Sequence, residues 1–342
     1  MKKWYIIMMA VITVLTLSAC KDTKDKVLED GKVDKAEASD SKKDKKEDSF
    51  SAVYPLTGLG TNEKADQRAV AVMVNNHWNA RPQSGLHKAD IVYEVLAEGE
   101  LTRFLAIFQS EMPEVVGPVR SARDYYIELS QGYDSLFVAH GFSPEAKEIL
   151  YGGTVDHLNG MDYDGILFKR ADFRKAPHNS YITYENIEKG MKKIGADDSG
   201  DLDMLSFLTK KSAADIEGTP ATDITISYNG GETVGFTYSE KKKTYARSSN
   251  NEPTIDRETE TPIAVNNVFI VEAAHRVIDD AGRREINLSS GGDAILIQNG
   301  VAQNISWKNE NGRIVPDGGA FVPGKTWINI VPTGMANTVK MQ

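Results

Sequence analysis

A run of six apolar residues, Ala69-Val70-Ala71-Val72-Met73-Val74, is the stretch of sequence that decides the fold. In an extended chain, successive side chains point to opposite faces, so a strand that is apolar at every position must be covered on both faces. The run therefore predicts a central strand of a sheet, with other elements packed on either side. Two more strands are expected over 91–96 and 101–108, the second entered through the turn-like Glu98-Gly99-Glu100.

Helical patterns alternate with these strands. Residues 121–131 predict a helix, with Ser121 as its N-cap and Gly132 at its end. A strand is expected over 135–139, and further helices over 145–151, 185–194 and 202–210. Strands mixed with helices around a buried sheet predict that residues 53–212 form an N-terminal mixed α/β layered domain.

Beyond about residue 215 the helical pattern disappears. Short strand-like segments follow one another, separated by glycine pairs and by Asn-Gly pairs at 299–300 and 311–312. Asn-Gly favours the tightest hairpin turns, because both of its residues accept a positive φ. Residues 213–342 therefore predict a mostly antiparallel, β-rich C-terminal domain, and the fold class of the whole chain is α+β. Trp307 and Trp327 fall in predicted strands, where core packing is the first interpretation and a carbohydrate-stacking platform the second.

The N-terminal residues predict a lipid anchor and a tether. Two lysines precede an almost purely apolar stretch, 4–17, which is shorter than the roughly 20 residues of a membrane-spanning helix. Leu17-Ser18-Ala19-Cys20 follows and resembles the lipobox of bacterial lipoproteins. That resemblance implies a signal peptide over 1–19 and a diacylglycerol on the thiol of Cys20, which would hold the chain to the membrane; an uncleaved anchor and a plain secretory signal are the alternatives.

Residues 20–52 are expected to form a disordered, solvated linker that begins at the lipidated cysteine. Between 21 and 50 the chain has nine lysines and ten acidic residues, with Phe50 as its one aromatic residue. Such a segment buries too little apolar surface to offset the entropy of ordering its backbone.

Charge and cysteine content exclude several classes of function. The formal net charge of -9 argues against bulk binding of nucleic acid, although a local basic groove stays compatible with it. Cys20 is the only cysteine, so the chain has neither an internal disulfide nor a multi-thiolate metal site. No standard metal, phosphate-loop or dinucleotide motif is present, and we expect neither a metal nor a cofactor.

With both halves in view, residues 54–335 resemble the YerB-like family, a group of Gram-positive cell-surface lipoproteins without an assigned chemistry. The resemblance is carried by Ala89-Asp90-Ile91-Val92-Tyr93-Glu94, by 101–108 and 116–123, by Ala176-Pro177-His178-Asn179 and by 325–332. It implies an N-terminal and a C-terminal region, in agreement with the break near residue 215. It also implies a lipid-anchored position on the outer face of the cytoplasmic membrane.

The strongest candidate site is Gly117-Pro118-Val119-Arg120-Ser121-Ala122-Arg123. It precedes a predicted helix, whose N-terminus favours anions, and Arg120 and Arg123 add forked donors suited to phosphate or carboxylate. The next strand ends at His140, which we expect at the same sheet edge. The structural alternative is that these arginines pair with carboxylates such as Asp90, Glu94 or Asp124.

A second cluster lies in a predicted loop. It contains Arg170 and Arg174, followed by His178 and Asn179. Polar residues concentrated in a loop favour a binding function, although such side chains also serve to fix the loop itself. If this loop folds over Arg120, the two clusters form one pocket for an anion.

Two functional hypotheses follow. The first is a non-catalytic binding or scaffold lipoprotein of the cell envelope, whose arginines hold a wall-polymer phosphate, a peptidoglycan carboxylate or an acidic partner protein. The second is an envelope enzyme acting on a phosphorylated or glycan substrate, with His140 or His178 as acid or base. A purely structural module, in which all of these groups are internal ion pairs, is the third interpretation.

Overall fold

The computed structural model describes residues 50–228, 231–334 and 338–342. The predicted signal peptide, Cys20 and most of the predicted linker lie outside these residues. Five α-helices are present in the described part of the chain: α1 (Asp124–Gln131), α2 (Pro144–Tyr151), α3 (Gly160–Tyr163), α4 (Tyr184–Ile194) and α5 (Lys210–Ala214).

Strands dominate the fold. In chain order they are β1 (Ala52–Val53), β2 (Gly60–Thr61), β3 (Val70–Asn75), β4 (Ile91–Leu96), β5 (Thr102–Phe108), β6 (Val115–Val116), β7 (Leu136–Ala139), β8 (His157–Asn159), β9 (Phe168–Arg170), β10 (Ser180–Thr183), β11 (Thr219–Pro220), β12 (Asp223–Ser227), β13 (Thr233–Ser239), β14 (Thr244–Ser249), β15 (Glu252–Pro253), β16 (Ala264–Val265), β17 (Asn267–Ala273), β18 (His275–Val277), β19 (Arg284–Ile286), β20 (Gly292–Gln298), β21 (Val301–Glu310), β22 (Arg313–Asp317), β23 (Thr326–Pro332) and β24 (Val339–Met341).

One large mixed sheet organises the molecule. Its strand order is β11-β21-β20-β17-β23-β4-β5-β3-β7-β8, with β22 paired to β21. The pairs β17–β23, β23–β4, β3–β7 and β7–β8 are parallel, and the other pairs are antiparallel. A six-stranded antiparallel sheet has the order β15-β14-β13-β12-β24, with β16 beside β14. A smaller sheet, β6-β10-β9, carries part of the second sequence cluster.

The large sheet crosses the predicted domain boundary near residue 212. Strand β23, from the C-terminal region, lies between β17 and β4 and places Trp327 opposite Val92. The segment Ser49–Gln342 is accordingly one compact unit. Strands from both sides of the predicted boundary at residues 212 and 213 are therefore hydrogen-bonded to each other in one sheet.

Both faces of the large sheet are covered, as the apolar run predicted. Alternate side chains of β3 enter different cores: Val70, Val72 and Val74 pack with the six-stranded sheet and α4, whereas Ala71 and Met73 pack with α1 and α2. Every residue of β3 is buried. A strand apolar on both faces was thus the correct interpretation of this run.

The expected helices at 145–151 and 185–194 are confirmed as α2 and α4, capped by Ser143 and Thr183. Two expectations about helices are wrong. The first helix begins at Asp124 with Arg123 as its N-cap residue, so Ser121 is not the cap. The helix expected over 202–210 is absent, because backbone N–H groups there donate to other segments, Leu205 to Pro55 and Leu208 to Phe321.

The C-terminal region is β-rich, as predicted, and its Asn-Gly pairs form hairpin turns. The pair at 299–300 joins β20 to β21, and the pair at 311–312 joins β21 to β22. All four residues have positive φ, between 51° and 86°. The parallel pairing of β17 with β23 departs from the expected antiparallel pattern.

Candidate functional site

The candidate site lies at one edge of the large sheet, where two parallel strands end. Strand β3 ends at Asn75 and its parallel neighbour β7 ends at Ala139, just before His140. Carboxyl ends of parallel strands meet at the same edge of a sheet, and in open α/β sheets ligands bind at that edge. Arg103, at the start of the antiparallel β5, pairs directly with Asn75 and joins the same edge.

The segment 117–122 crosses this edge in an extended conformation. The N–H of Arg120 donates to the carbonyl of Met73 at 2.9 Å, and the carbonyl of Arg120 accepts from the N–H of His140 at 3.0 Å. Ser121 is engaged as well, because its hydroxyl donates to the carbonyl of His140 at 3.2 Å. These bonds hold Arg120 between the ends of β3 and β7, three residues before the N-cap of α1, and not in the first turn of a helix.

Arg120 is the one arginine in the described chain whose guanidinium makes neither an ion pair within 4.0 Å nor a hydrogen bond with another residue. It is half-buried, and burial lowers its pKa to about 10, helped by the nearby charges of Arg103 and Arg123 and opposed by Glu98. An arginine with this pKa is cationic at neutral pH. Arg120 is therefore a partly desolvated positive charge to which no described residue supplies a counter-ion within 4.0 Å.

Arg123 differs from Arg120, because its charge is compensated. Its guanidinium forms a close ion pair with Glu98, and the same carboxylate accepts from Arg103 at 2.5 Å. Arg103 also donates to the carbonyl of Ser121 at 2.9 Å. Two of the three predicted carboxylate partners are engaged elsewhere: Glu94 pairs with Arg247, and Asp90 accepts from Gln109 and Ser110. The third, Asp124, makes no ion pair within 4.0 Å with any described residue, although burial raises its pKa and the charge of Arg123 opposes that larger effect. The carboxylate of Glu98 thus lies near three guanidinium groups. It forms ion pairs with Arg103 and Arg123, and Arg120 has no ion pair with a described residue.

Two imidazoles accompany Arg120. The Nδ2 amide of Asn75 lies 2.9 Å from Nδ1 of His178, and its Oδ1 accepts from the backbone N–H of His77 at 3.0 Å. This second bond fixes the orientation of the amide, so Nδ1 of His178 is an acceptor and its Nε2 carries the hydrogen. Nδ1 of His77 likewise accepts from the N–H of Asn79 at 3.1 Å. The two rings stack with centroids 4.4 Å apart.

His140 has both ring nitrogens engaged. Nε2 lies 2.7 Å from Nη2 of Arg170, which can only donate, so this nitrogen accepts and Nδ1 donates to the hydroxyl of Ser180 at 2.7 Å. Arg170 is held in turn by Asp164, with three contacts between 3.0 and 3.2 Å. His140 therefore has no free nitrogen with which to exchange a proton with a ligand.

The second sequence cluster folds onto the first through His178 and Arg170. Arg174 donates to the carbonyls of Ala80 and Pro82, both at 2.6 Å, and so fastens its loop to the loop that follows β3. Asn179 is used within its own loop, where its Oδ1 accepts from Arg170 at 3.3 Å and its Nδ2 donates to a backbone carbonyl. Arg170, Arg174 and Asn179 are thus mainly loop-fixing residues, whereas His178 belongs to the surroundings of Arg120.

The positive charge of Arg120 acts on all three imidazoles of this edge. Burial is the main cause of a lowered pKa for His77, His140 and His178, and Arg120 lowers each further. Other cations contribute, Arg81 for His77 and Arg170 for His140. The three rings are therefore neutral at neutral pH. An anion placed beside Arg120 would oppose this effect and raise the pKa of each ring.

The residues that sequence reasoning missed lie at the end of β3 and immediately after it. Asn75 and His77 organise the site, and Trp78 beside them is 62% exposed. The available signal was their position, a cluster of polar and aromatic residues immediately after the carboxyl end of a buried strand. Within the described residues, no three His, Cys, Asp or Glu side chains are grouped so as to hold a metal ion.

Comparisons with known proteins give the chain its family. Residues 56–197 match the "Protein of unknown function (DUF3048) N-terminal domain", and residues 224–328 match the corresponding C-terminal domain. "Putative lipoprotein YerB" of Bacillus subtilis (strain 168) is 48% identical over 97% of this chain and 96% of its own length. The crystal structure of YerB protein from Bacillus subtilis has a TM-score of 0.79 and 50% identity, and the match covers 85% of this chain and 99% of that one.

No helix in the described part of the chain has the length and apolar character needed to cross a membrane. The two domain matches together span most of the folded segment, and the near-full-length identity to the Bacillus protein agrees with them. The chain therefore belongs to the DUF3048 family, whose two domains it carries in order.

Proposed function

We propose that this protein is a membrane-anchored lipoprotein of the cell envelope, whose folded part is a binding module for an anionic ligand. The lipobox-like Leu17-Ser18-Ala19-Cys20 supports the anchor, as does the name of the Bacillus relative. Lipid on Cys20 would place the folded part on the outer face of the cytoplasmic membrane, within reach of wall polymers. Two buried acyl chains give stable attachment, because each CH₂ contributes about 0.8 kcal/mol.

The observation that carries the binding proposal is the uncompensated charge of Arg120. A half-buried guanidinium has lost part of the water that hydrates it. Leaving its N–H groups without other hydrogen-bond partners therefore costs free energy. In this protein Glu98, the carboxylate whose charge acts on Arg120, is already shared by Arg103 and Arg123. A phosphate or carboxylate from a ligand would supply the missing partner with forked geometry.

The two stacked imidazoles extend this site. His77 and His178 each accept a hydrogen bond on Nδ1, which leaves Nε2–H as a donor that makes no hydrogen bond with any described residue. One guanidinium and two neutral imidazole donors together suit a multi-oxygen anion. The catalytic alternative has weaker support, since His140 is fully engaged and only His178 of the two proposed acid–base residues keeps a free nitrogen.

Titration calorimetry of the full chain in detergent, with sulfate as the probe, tests the site. Sulfate keeps its charge across the pH range used, so changes in affinity report the protein alone. Arg120→Met should weaken binding by about 10- to 100-fold, since a hydrogen bond to a charged group is worth about 1.5–3 kcal/mol. Arg276→Met is the matched control, because Arg276 is exposed and its charge is already compensated by Glu285. Equal affinities for wild type and Arg120→Met would refute the site.

The histidine resonances provide a second readout. In wild-type protein, saturating sulfate should raise the pKa of His77 and His178, because the anion offsets the part of the lowering that the charge of Arg120 adds to the larger effect of burial. Arg120→Met should raise the same pKa values without any anion. Since the lowered values keep the rings neutral at pH 7, sulfate should bind more tightly as the pH falls below 6.5 and the rings gain charge. An NMR titration in which neither pKa responds would count against a ligand position beside Arg120.

A further inference from the structure

We propose that the ligand is an anionic saccharide, with one sugar ring seated in a cavity beside Trp78 and its negative group on Arg120. This inference rests on the proposed function, because it takes the anion site as given and names the chemical class attached to the anion. Its evidence is separate and comes from the cavity, from the exposed indole and from an unsatisfied buried amide.

The cavity has a volume of about 350 Å³, at the lower end of the range typical of small-ligand sites. Its walls come from both regions of the chain: Trp78, Pro82 and Gln83 on one side, Thr254 and Ile255 on the other. Most of this lining is apolar, with a few polar groups among it. A sugar ring matches such walls, because its C–H faces are apolar while hydroxyl groups surround its rim.

Trp78 provides an aromatic face in the lining of the cavity. It is the only tryptophan in the described chain that is exposed, since Trp307 and Trp327 are buried in the core. Its ring is held from one side by His77, with centroids 3.8 Å apart and planes tilted by 36°. The negative π face of an indole attracts the weakly positive C–H groups of a sugar ring, and a fixed indole loses little entropy when it does so.

Gln83 adds a buried amide oxygen that has no hydrogen-bond donor among the described residues. It is 1% exposed, and its Nε2 donates to the carbonyl of Asn75 and to Oδ1 of Asn76, both at 3.1 Å. These two bonds fix the amide, so Oε1 is an acceptor, and it is buried without a hydrogen-bond donor. Such an atom is costly to leave unpaired. A sugar hydroxyl is a donor of the right kind, whereas a bare inorganic anion has no donor to offer.

The charged side chains near the cavity explain why the saccharide should be anionic. Arg81 lines the cavity but forms a close ion pair with Glu232, so it contributes little net charge. His77 links the cavity to the anion site, because its ring lies against that of Trp78 and Arg120 is among the charges that, after burial and Arg81, lower its pKa. Glu252 also lines the cavity, is exposed and makes no ion pair within 4.0 Å with any described residue, so the negative group of the ligand is expected outside the cavity, on the uncompensated positive charge of Arg120. A phosphate and a carboxylate can each pair with the guanidinium of Arg120, so the expected ligand is a sugar with one negative group of either kind.

Calorimetry with four probes separates the parts of this inference. Glucose 6-phosphate and glucuronate carry ring and charge, glycerol 3-phosphate carries charge without the ring, and methyl glucoside carries the ring without charge. In the full chain, glucose 6-phosphate or glucuronate should bind at least 10-fold more tightly than glycerol 3-phosphate, and the better of the two identifies the anion. Trp78→Ala should reduce this preference to less than 3-fold, and Trp78→Tyr should restore most of it. Tyr151→Ala, an exposed aromatic residue elsewhere, is the matched control.

The outcomes distinguish this inference from the proposed function. If glycerol 3-phosphate and both charged sugars bind equally, the saccharide inference fails and the anion site stands. If none of the charged probes binds, both fail. If Trp78→Ala retains the full preference for the charged sugar, the cavity is not where the ring lies, and the inference is overturned even though the protein binds sugar phosphates.

Discussion

Removing the charge of Glu94 should destabilise the protein more than any exposed substitution, because Glu94 forms an ion pair in the centre of the molecule. Its carboxylate accepts from Nη2 of Arg247 at 2.9 Å on both oxygens, and the two side chains are 0% and 1% exposed. Glu94 belongs to β4 and Arg247 to β14, so the pair connects the N-terminal and C-terminal regions. The indole of Trp327 donates to the same carboxylate at 2.9 Å.

The size of the effect follows from what each substitution leaves behind. Glu94→Gln leaves a buried guanidinium without its counter-ion, which typically costs about 3–5 kcal/mol. The lower end applies here, because Arg247 keeps hydrogen bonds to Ser249 and Thr254 and lies 4.8 Å from the ring of Trp327. Arg247→Met should cost about the same, since it isolates the carboxylate. The double variant contains no isolated charge and should lose only about 1–2 kcal/mol, so the two changes should be strongly non-additive.

Urea unfolding of the four proteins, followed by tryptophan fluorescence and by far-ultraviolet circular dichroism, measures these free energies of unfolding. Both signals should report one transition, because β23 is hydrogen-bonded to strands of both regions. The exposed pair Arg276–Glu285 is the control, and breaking it should cost less than about 1 kcal/mol. The reasoning is wrong if Glu94→Gln costs under 1 kcal/mol, or if the single costs add up in the double variant.

Three further predictions concern other parts of the chain. Burial lowers the pKa of His275 to about 4, so the stability it gives above pH 6.5 should be lost as the pH falls to 4, by about 3 kcal/mol. His275→Asn should remove this loss in acid unfolding curves, whereas His157→Asn, at a ring with a similar local carbonyl contact, should not. Gly312→Ala should lower the melting temperature more than Gly318→Ala, because both have positive φ but only the first would place Cβ within 3.0 Å of backbone. Cys20→Ser should move the full chain from the membrane to the soluble fraction on cell fractionation.

Strand positions were predictable where the chain is buried on both faces. The bounds of β3 and β4 agree with the apolar runs because continuous burial leaves little freedom in where such strands begin and end. The Asn-Gly hairpins were equally local, since their backbone angles are set by the two turn residues themselves. The insertion of β23 between β17 and β4 was not predictable, because the pairing joins residues more than 200 positions apart and nothing in the strand itself specifies its neighbour.

Helix boundaries failed where tertiary hydrogen bonds replaced local ones. Ser121 has the identity of an N-cap, but its hydroxyl bonds to His140 while the chain around it pairs with the ends of β3 and β7. The leucines at 202, 205 and 208 have helical spacing, yet the backbone of this segment bonds to Pro55 and Phe321. In both places propensity was overridden by a neighbouring segment that lies far away in the sequence.

The position of Arg120 at this sheet edge could be predicted from the sequence, but its lack of an ion-pair partner could not. Arg120 was identified from an arginine-rich segment before a helix, and the convergence of β3 and β7 follows from parallel topology. The ion pair between Arg123 and Glu98 was not predictable from the sequence, because that carboxylate lies in a turn 25 residues earlier. Whether an arginine is free depends on which carboxylates fold beside it, and this information resides in the tertiary structure alone.

The cavity proposed to hold the ligand and the central ion pair are connected through Arg247. Its Nη1 donates at 2.7 Å to the hydroxyl of Thr254, which lines the cavity beside Trp78, while its Nη2 holds Glu94. The cavity wall from the C-terminal region is thus positioned by the same guanidinium that joins the two regions. A ligand that contacts Trp78 and Thr254 together would bind only the folded arrangement, so its binding would add to the stability of the whole unit by mass action. Loss of the ion pair should in turn loosen that wall, which makes ligand affinity a second and independent measure of how firmly the two regions are joined.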